Sequence, residues 1–201
     1  MDKDIQEMFS QKNREILIHN LELDIERNME VLKDTLTNIF NLQFDIAIKN
    51  IVSIYDNEVQ RQYIAKVLVP LKSKSFLLLN DQINVKQAQL LEQIKNLEFK
   101  EEQMDIYYET VFESTSPVIQ VFESDDISEL LKISIGDLFN LYSGIDNTIC
   151  KRLEDYIHLR LFGKLREKVE QEFLIRDNNL SNKGKESYLK FQELQERTTN
   201  I

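Results

Sequence analysis

Chemistry in this chain would have to begin from very few side chains. Its 201 residues hold two histidines, His19 and His158, and one cysteine, Cys150. Asp155-x-x-His158, with Glu154 beside it, places a carboxylate and an imidazole on one face of a helix. Di-iron bundles use a Glu-x-x-His from each of two helices together with further glutamates. Here the second histidine follows the reverse order, His19 before Glu22, so half of that constellation is missing. His158 on an apolar-rich helix could also serve as a single axial haem ligand, with nothing else in the sequence to support it. A capped surface histidine is the simpler expectation, and no metal or cofactor is assigned. Asp125-Asp126 could do acid–base work if buried. Next to Ser124, ahead of an apolar run, they read better as caps at the positive end of a helix dipole. Cys150 cannot form an internal disulfide and is expected to be a buried thiol.

The phosphate-cradling and hydrolytic signatures are missing. No G-x-x-x-x-G-K-[ST], G-x-S-x-G or H-E-x-x-H occurs, and glycines at 136, 144, 163 and 184 do not compose a nucleotide loop. An enzyme is therefore not expected.

Charge carries more information. The formal net charge is −10. Residues 101–137 hold ten acidic residues against Lys132 alone, so nearly all of that charge sits in one segment. Glu101, Asp105, Glu109 and Glu113 recur every four residues, which on a helix builds an acidic ridge of like charges. Tyr107 and Phe112 lie beside it. These six residues are the candidate protein-binding set, because aromatics next to charge are common at interface centres. Such a field attracts a basic protein partner and repels phosphate backbones. Ile127–Leu131, a turn at Ser134-Ile135-Gly136 and Leu138–Tyr142 could mimic a helix-turn-helix. The second of these helices lacks Lys and Arg, so no nucleic-acid partner is expected. The basic cluster Arg160, Lys164, Arg166 and Lys168 is expected to pair with the acidic ridge within the chain.

The elements that would position these groups are helices. Four glycines and two prolines leave few turns, which argues for a small number of long elements. From Asn13 to Phe44, Ile18, Leu21, Ile25, Met29, Leu32, Leu36, Ile39 and Phe40 recur at threes and fours, the stripe of an amphipathic helix. Phe44 to Val69 is richer in β-branched residues. Pro70 lacks an N–H and crowds the preceding turn, so a break is expected near Val69. Residues 63–80 read as a helix end, a basic loop and a short helix, or alternatively as a β-hairpin pairing Val67–Val69 with Phe76–Leu79. Asn84 with Gln87 forms a capping box. From there Ile83, Leu90, Leu97, Met104 and Val111 recur every seven residues, and a heptad-like helix to Glu113 follows. It calls for a partner helix, from the chain itself or from a second copy in a homo-oligomer. Ser114-Thr115-Ser116-Pro117 ends it. Ser134 with Asp137 caps a further helix. The last long helix, with stripe Ile149, Leu153, Tyr156, Leu159 (or Phe162), Val169 and Phe173, stops at Asp177-Asn178-Asn179.

The fold expected is all-α: an antiparallel helical bundle or extended coiled coil with a smaller C-terminal helical part. The long-helix region would occupy 1–116, a helical lobe packing back on it 117–180, and a polar tail with a short docking helix 181–201. No leader segment follows Met1, and no apolar run approaches the ~18 residues a membrane span needs. A cytoplasmic protein without membrane contact is the expectation. Long helix, turn at Leu68-Val69-Pro70-Leu71 and heptad helix together resemble the prefoldin-like arrangement, which would imply a coiled-coil chaperone subunit. The leading functional expectation is a non-enzymatic protein–protein interaction module: a regulator, adaptor or structural subunit. A ligand-sensing helical regulatory domain is the alternative.

Overall fold

A computed structural model describes residues 3–54, 58–100, 122, 125–141 and 147–199. Among these the chain is all-α, with no strand. Helix α1 spans Lys3–Ile54, α2 Glu58–Lys95, α3 Asp125–Leu141 and α4 Asn147–Asp155. A π-helical segment, Tyr156–Phe162, then leads into α5, Gly163–Thr199. Two compact units are present. The first comprises Met1–Leu32, Ile83–Ser114 and Phe173–Ile201, and the second Lys33–Gln82 and Thr115–Glu172.

The stripe expected on α1 is the buried one, and it extends further at both ends. Leu17, Leu21, Ile25 and Met29 are buried in the first unit, and Leu32 closes that run. Leu36, Phe40, Phe44, Ala47 and Ile51 are buried in the second. The β-branched stretch after Phe44 stays helical because Ala47 and Ile51 keep the three-four spacing of buried positions. That burial outweighs the few tenths of a kcal/mol by which branched side chains disfavour a helix.

The break expected near Val69 is not there, and neither is the hairpin alternative. Helix α2 continues through Pro70. Leu68 and Leu71 are buried on either side of the proline, while Pro70 and Lys66 are exposed. The carbonyl that loses its helical donor belongs to Lys66, so water can replace that bond. Proline on the wet face of a helix anchored on its dry face is tolerated. Ser75, fully buried one turn later, returns its hydroxyl proton to the Leu71 carbonyl at 2.8 Å. Without the hairpin, the turn that carries the prefoldin-like likeness is replaced by continuous helix.

Asn84 is consequently a helix-interior residue and not a cap. The helix also stops well short of Glu113. Asn96 and Leu97 donate backbone N–H groups to the carbonyls of Gln93 and Ile94, each at 3.1 Å, a tightening that ends α2. Phe99 then adopts a left-handed φ of 55°. Such a conformation costs a bulky residue about 1–3 kcal/mol. Burial of the ring offsets it: Phe99 is 3% exposed and stacks on Phe191 of α5 at 5.2 Å. Met104 and Val111 of the heptad series lie outside the described residues.

One side chain holds this exit in place. Arg14 of α1 donates from Nε and Nη2 to the Leu97 carbonyl at 3.1 and 2.7 Å. A carbonyl past a helix end has no intrahelical donor, and a charged forked donor is the strongest substitute. Arg14→Met, which keeps the aliphatic stem, should lower stability by about 2 kcal/mol. Urea unfolding checks this; an unchanged midpoint would show that water serves the carbonyl equally well.

In the second unit the core is aromatic. Phe40 contacts Phe44, Phe76 and Phe122 at ring separations of 6.2, 5.6 and 5.9 Å. Phe122 in turn meets Phe162 at 6.0 Å. Ile127, Leu131 and Ile135 are buried along α3, which runs unbroken through Ser134-Ile135-Gly136. The helix-turn-helix reading and the Ser134 cap are thereby corrected: the buried four-residue spacing carries the helix across Gly136.

The π segment explains the register of the last helix. Gly163 N–H bonds to the His158 carbonyl, five residues back. The wider turn inserts one residue, so the adjacent Leu161 and Phe162 are both buried between Ile157 and Leu165. Of the two residues offered for the core stripe here, Phe162 is the buried one and Leu159 is 75% exposed. Helix α5 does not stop at Asp177-Asn178-Asn179 but continues to Thr199. Leu180, Ser181, Gly184 and Ser187 are buried beyond that point, and packing overrides the poor helix propensity of the Asp-Asn-Asn run.

Candidate interaction surface

The residues singled out from the acidic ridge, Glu101, Asp105, Tyr107, Glu109, Phe112 and Glu113, lie outside the described residues. So does any pairing of the ridge with the basic cluster. Within that cluster Arg160 and Lys164 are exposed, while Arg166 and Lys168 are half-buried.

The histidines are not drawn into a site. His19 Nδ1 is 4.0 Å from Glu22 Oε2 on an exposed stretch of α1. His158 sets its ring edge-on to Phe162 at 5.8 Å. Among the described residues, no three His, Cys, Asp or Glu side chains gather into a group that could hold a metal ion. Cys150 is buried, as its type suggests. No described helix is long and apolar enough to cross a membrane.

What stands out is a second apolar line on α1 that the core does not use. Ile5, Phe9, Ile16 and Leu23 are 42%, 46%, 51% and 38% exposed. They are four, seven and seven residues apart. At 3.6 residues per turn they fall within roughly 40° of one another around the helix. The buried residues of the same stretch, Leu17, Leu21, Ile25 and Met29, lie on roughly the opposite side. Helix α1 in the first unit is thus apolar on two faces, and only one is packed. Met8, 62% exposed, widens the open face. Single exposed leucines are ordinary on protein surfaces; an aligned set of large apolar side chains over five turns is not.

The charges along this stretch are unbalanced. Asp4, Glu7, Glu15, Glu26 and Glu30 are exposed, against Lys3, Lys12 and Arg27. Exposed acids thus outnumber exposed bases along this stretch of α1, with Lys12 and Arg27 the bases nearest the open face. The sequence pattern does not announce it, because the three-four core stripe accounts for α1 by itself and Ile5, Phe9 and Ile16 fall outside that stripe. The seven-residue interval joining Phe9, Ile16 and Leu23 was the available signal.

No protein-family model matches the chain, and no curated protein or solved structure shows significant similarity to it.

Proposed function

We propose that this protein is a non-enzymatic protein–protein interaction module whose N-terminal helix packs against an amphipathic, basic helix of another protein. The observation that carries this reading is the exposed line Ile5, Phe9, Ile16 and Leu23, spaced as one helix requires of another. Charge selects the partner. Exposed acids outnumber exposed bases over residues 3–30 of α1, and the whole chain carries −10. A second copy would bring like charge against like charge, whereas a helix with Lys or Arg flanking its leucines is complementary. The acidic segment 101–137 extends the same preference. A regulator or adaptor of the cytoplasm is the role that fits.

The experiment uses a synthetic amphipathic helix with leucines at heptad positions and flanking lysines, titrated against the full chain by fluorescence anisotropy. Ile16→Gln with Leu23→Gln should weaken binding roughly thirtyfold, taking about 1 kcal/mol for each half-exposed side chain that becomes buried. The melting temperature should hardly move, since neither residue is in the core. Equal affinity for parent and variant refutes the proposal. Self-association that the same substitutions abolish would replace it with a homodimer.

A further inference from the structure

The second unit contains a groove that the interaction surface does not involve. It lies between α1 and the π segment, with a volume of about 220 Å³. Ala47 and Leu161, both buried, and Ile46 give it apolar lining; Gln43, Asn50, Tyr156, Arg160 and Lys164 supply polar groups. Asn50 Nδ2 donates to Tyr156 Oη at 3.0 Å. That bond occupies the phenol as an acceptor and leaves its O–H free to donate into the groove.

Tyr156, Arg160 and Lys164 recur at four-residue steps along one edge. Arg160 and Lys164 have no ion-pair partner among the described residues. Two like charges one turn apart repel each other, and an anion between them relieves that repulsion. Two unpaired cations lining one concavity are out of keeping with a chain of net charge −10. The π turn aligns the chemistry further, since such turns are frequent at functional sites. Here it places Tyr156 and Arg160 over a buried Leu161.

We propose that this groove binds a compact organic anion. Its phosphoryl or carboxylate head is held by the Arg160 guanidinium and Lys164 ammonium, with the Tyr156 hydroxyl as a further donor. Its apolar body covers Ala47, Leu161 and Ile46. The volume is below the ~300–1,000 Å³ of sites for drug-sized molecules, so a body of one ring or a short aliphatic chain fits.

Isothermal titration of the full chain with phenyl phosphate, benzoate and the neutral benzamide tests this. At least one anion should bind one-to-one, and benzamide should bind at least about tenfold more weakly. Arg160→Gln with Lys164→Gln, both on exposed positions, should reduce anion affinity at least about tenfold, while Lys12→Gln in the other unit leaves it unchanged. Phenyl phosphate alone binding identifies a phosphomonoester site, and benzoate alone a carboxylate site. Failure of both anions to bind, equal binding of benzamide, or insensitivity to the double substitution overturns the proposal.

Discussion

Phe40→Ala should remove about 4 kcal/mol of stability. Phe40 is 1% exposed and lies at the meeting point of the second unit's aromatic core. Its ring touches Phe44 on its own helix, Phe76 on α2, and Phe122. Truncation removes the transfer free energy of the ring and leaves a cavity bounded by three other rings, which cannot all collapse into it. Each aromatic pair adds about 0.5–1.5 kcal/mol beyond its buried area, although the three losses will not sum independently. A domain of ordinary stability has only about 5–15 kcal/mol to lose, so the variant should unfold at markedly lower denaturant. Phe40→Leu should recover about half the loss. If Phe40→Ala shifted stability by less than about 1 kcal/mol, the ring would not be a core residue.

The second large effect concerns pH. Asp177 is 1% exposed in the first unit, and neither carboxylate oxygen has a hydrogen-bond partner among the described residues. Ser181, one turn further along α5, is equally buried, and its hydroxyl also lacks a partner among the described residues. Burial pushes the Asp177 carboxyl from its ordinary 3.8 up to about 6. Because the folded value is the higher one, the native chain holds a proton between these two pH values that the unfolded chain has released. Stability contributed by this group is fully present below pH 3.8, falls as pH rises towards 6, and stays low above it. The penalty at neutral pH is on the order of 3 kcal/mol. Asp177→Asn keeps the shape and removes the charge. Relative to the parent it should gain most of that amount between pH 4 and pH 7.5, read from urea midpoints at the two values. A difference independent of pH would mean that the native carboxylate is solvated after all.

Asp177 also shows where sequence and structure part company. An Asp-Asn-Asn run in a polar neighbourhood reads as a stop, because these side chains compete for backbone hydrogen bonds. The helix continues because Leu180, Ser181, Gly184 and Ser187 pack beyond it, and no local pattern announces that three small or polar residues share a buried face. Pro70 misleads in the same way. Its cost is local, but whether the freed carbonyl meets water depends on which face Leu68 and Leu71 bury. The π segment could not be anticipated, since a one-residue shift between Leu161 and Leu165 looks like ordinary scatter in a three-four pattern.

By contrast, the α1 core was legible nearly residue for residue. Leu21, Ile25, Met29, Leu32, Leu36 and Phe40 follow the strict spacing that only a helix satisfies, and all are buried. Ile18 and Ile39, at the margins of that stripe, are half-buried. Surfaces were less legible. Ile5, Phe9, Ile16 and Leu23 are visible as apolar residues, but only the location of the packed face shows that they are left over. Arg160 and Lys164 read as part of a basic cluster seeking acids; the groove beneath them depends on Ala47 and Leu161 meeting across two helices.

Methyl-resolved NMR of the full chain, labelled at Ile and Leu, tests the central claim most directly. Titration with the lysine-flanked amphipathic helix should move the methyls of Ile5, Ile16 and Leu23 together, at one saturating midpoint. The methyls of Leu77, Ile133 and Leu159, exposed by 62%, 63% and 75%, should stay in place. Shifts spread evenly over every exposed methyl, or confined to the second set, would contradict the assignment of α1 as the docking face.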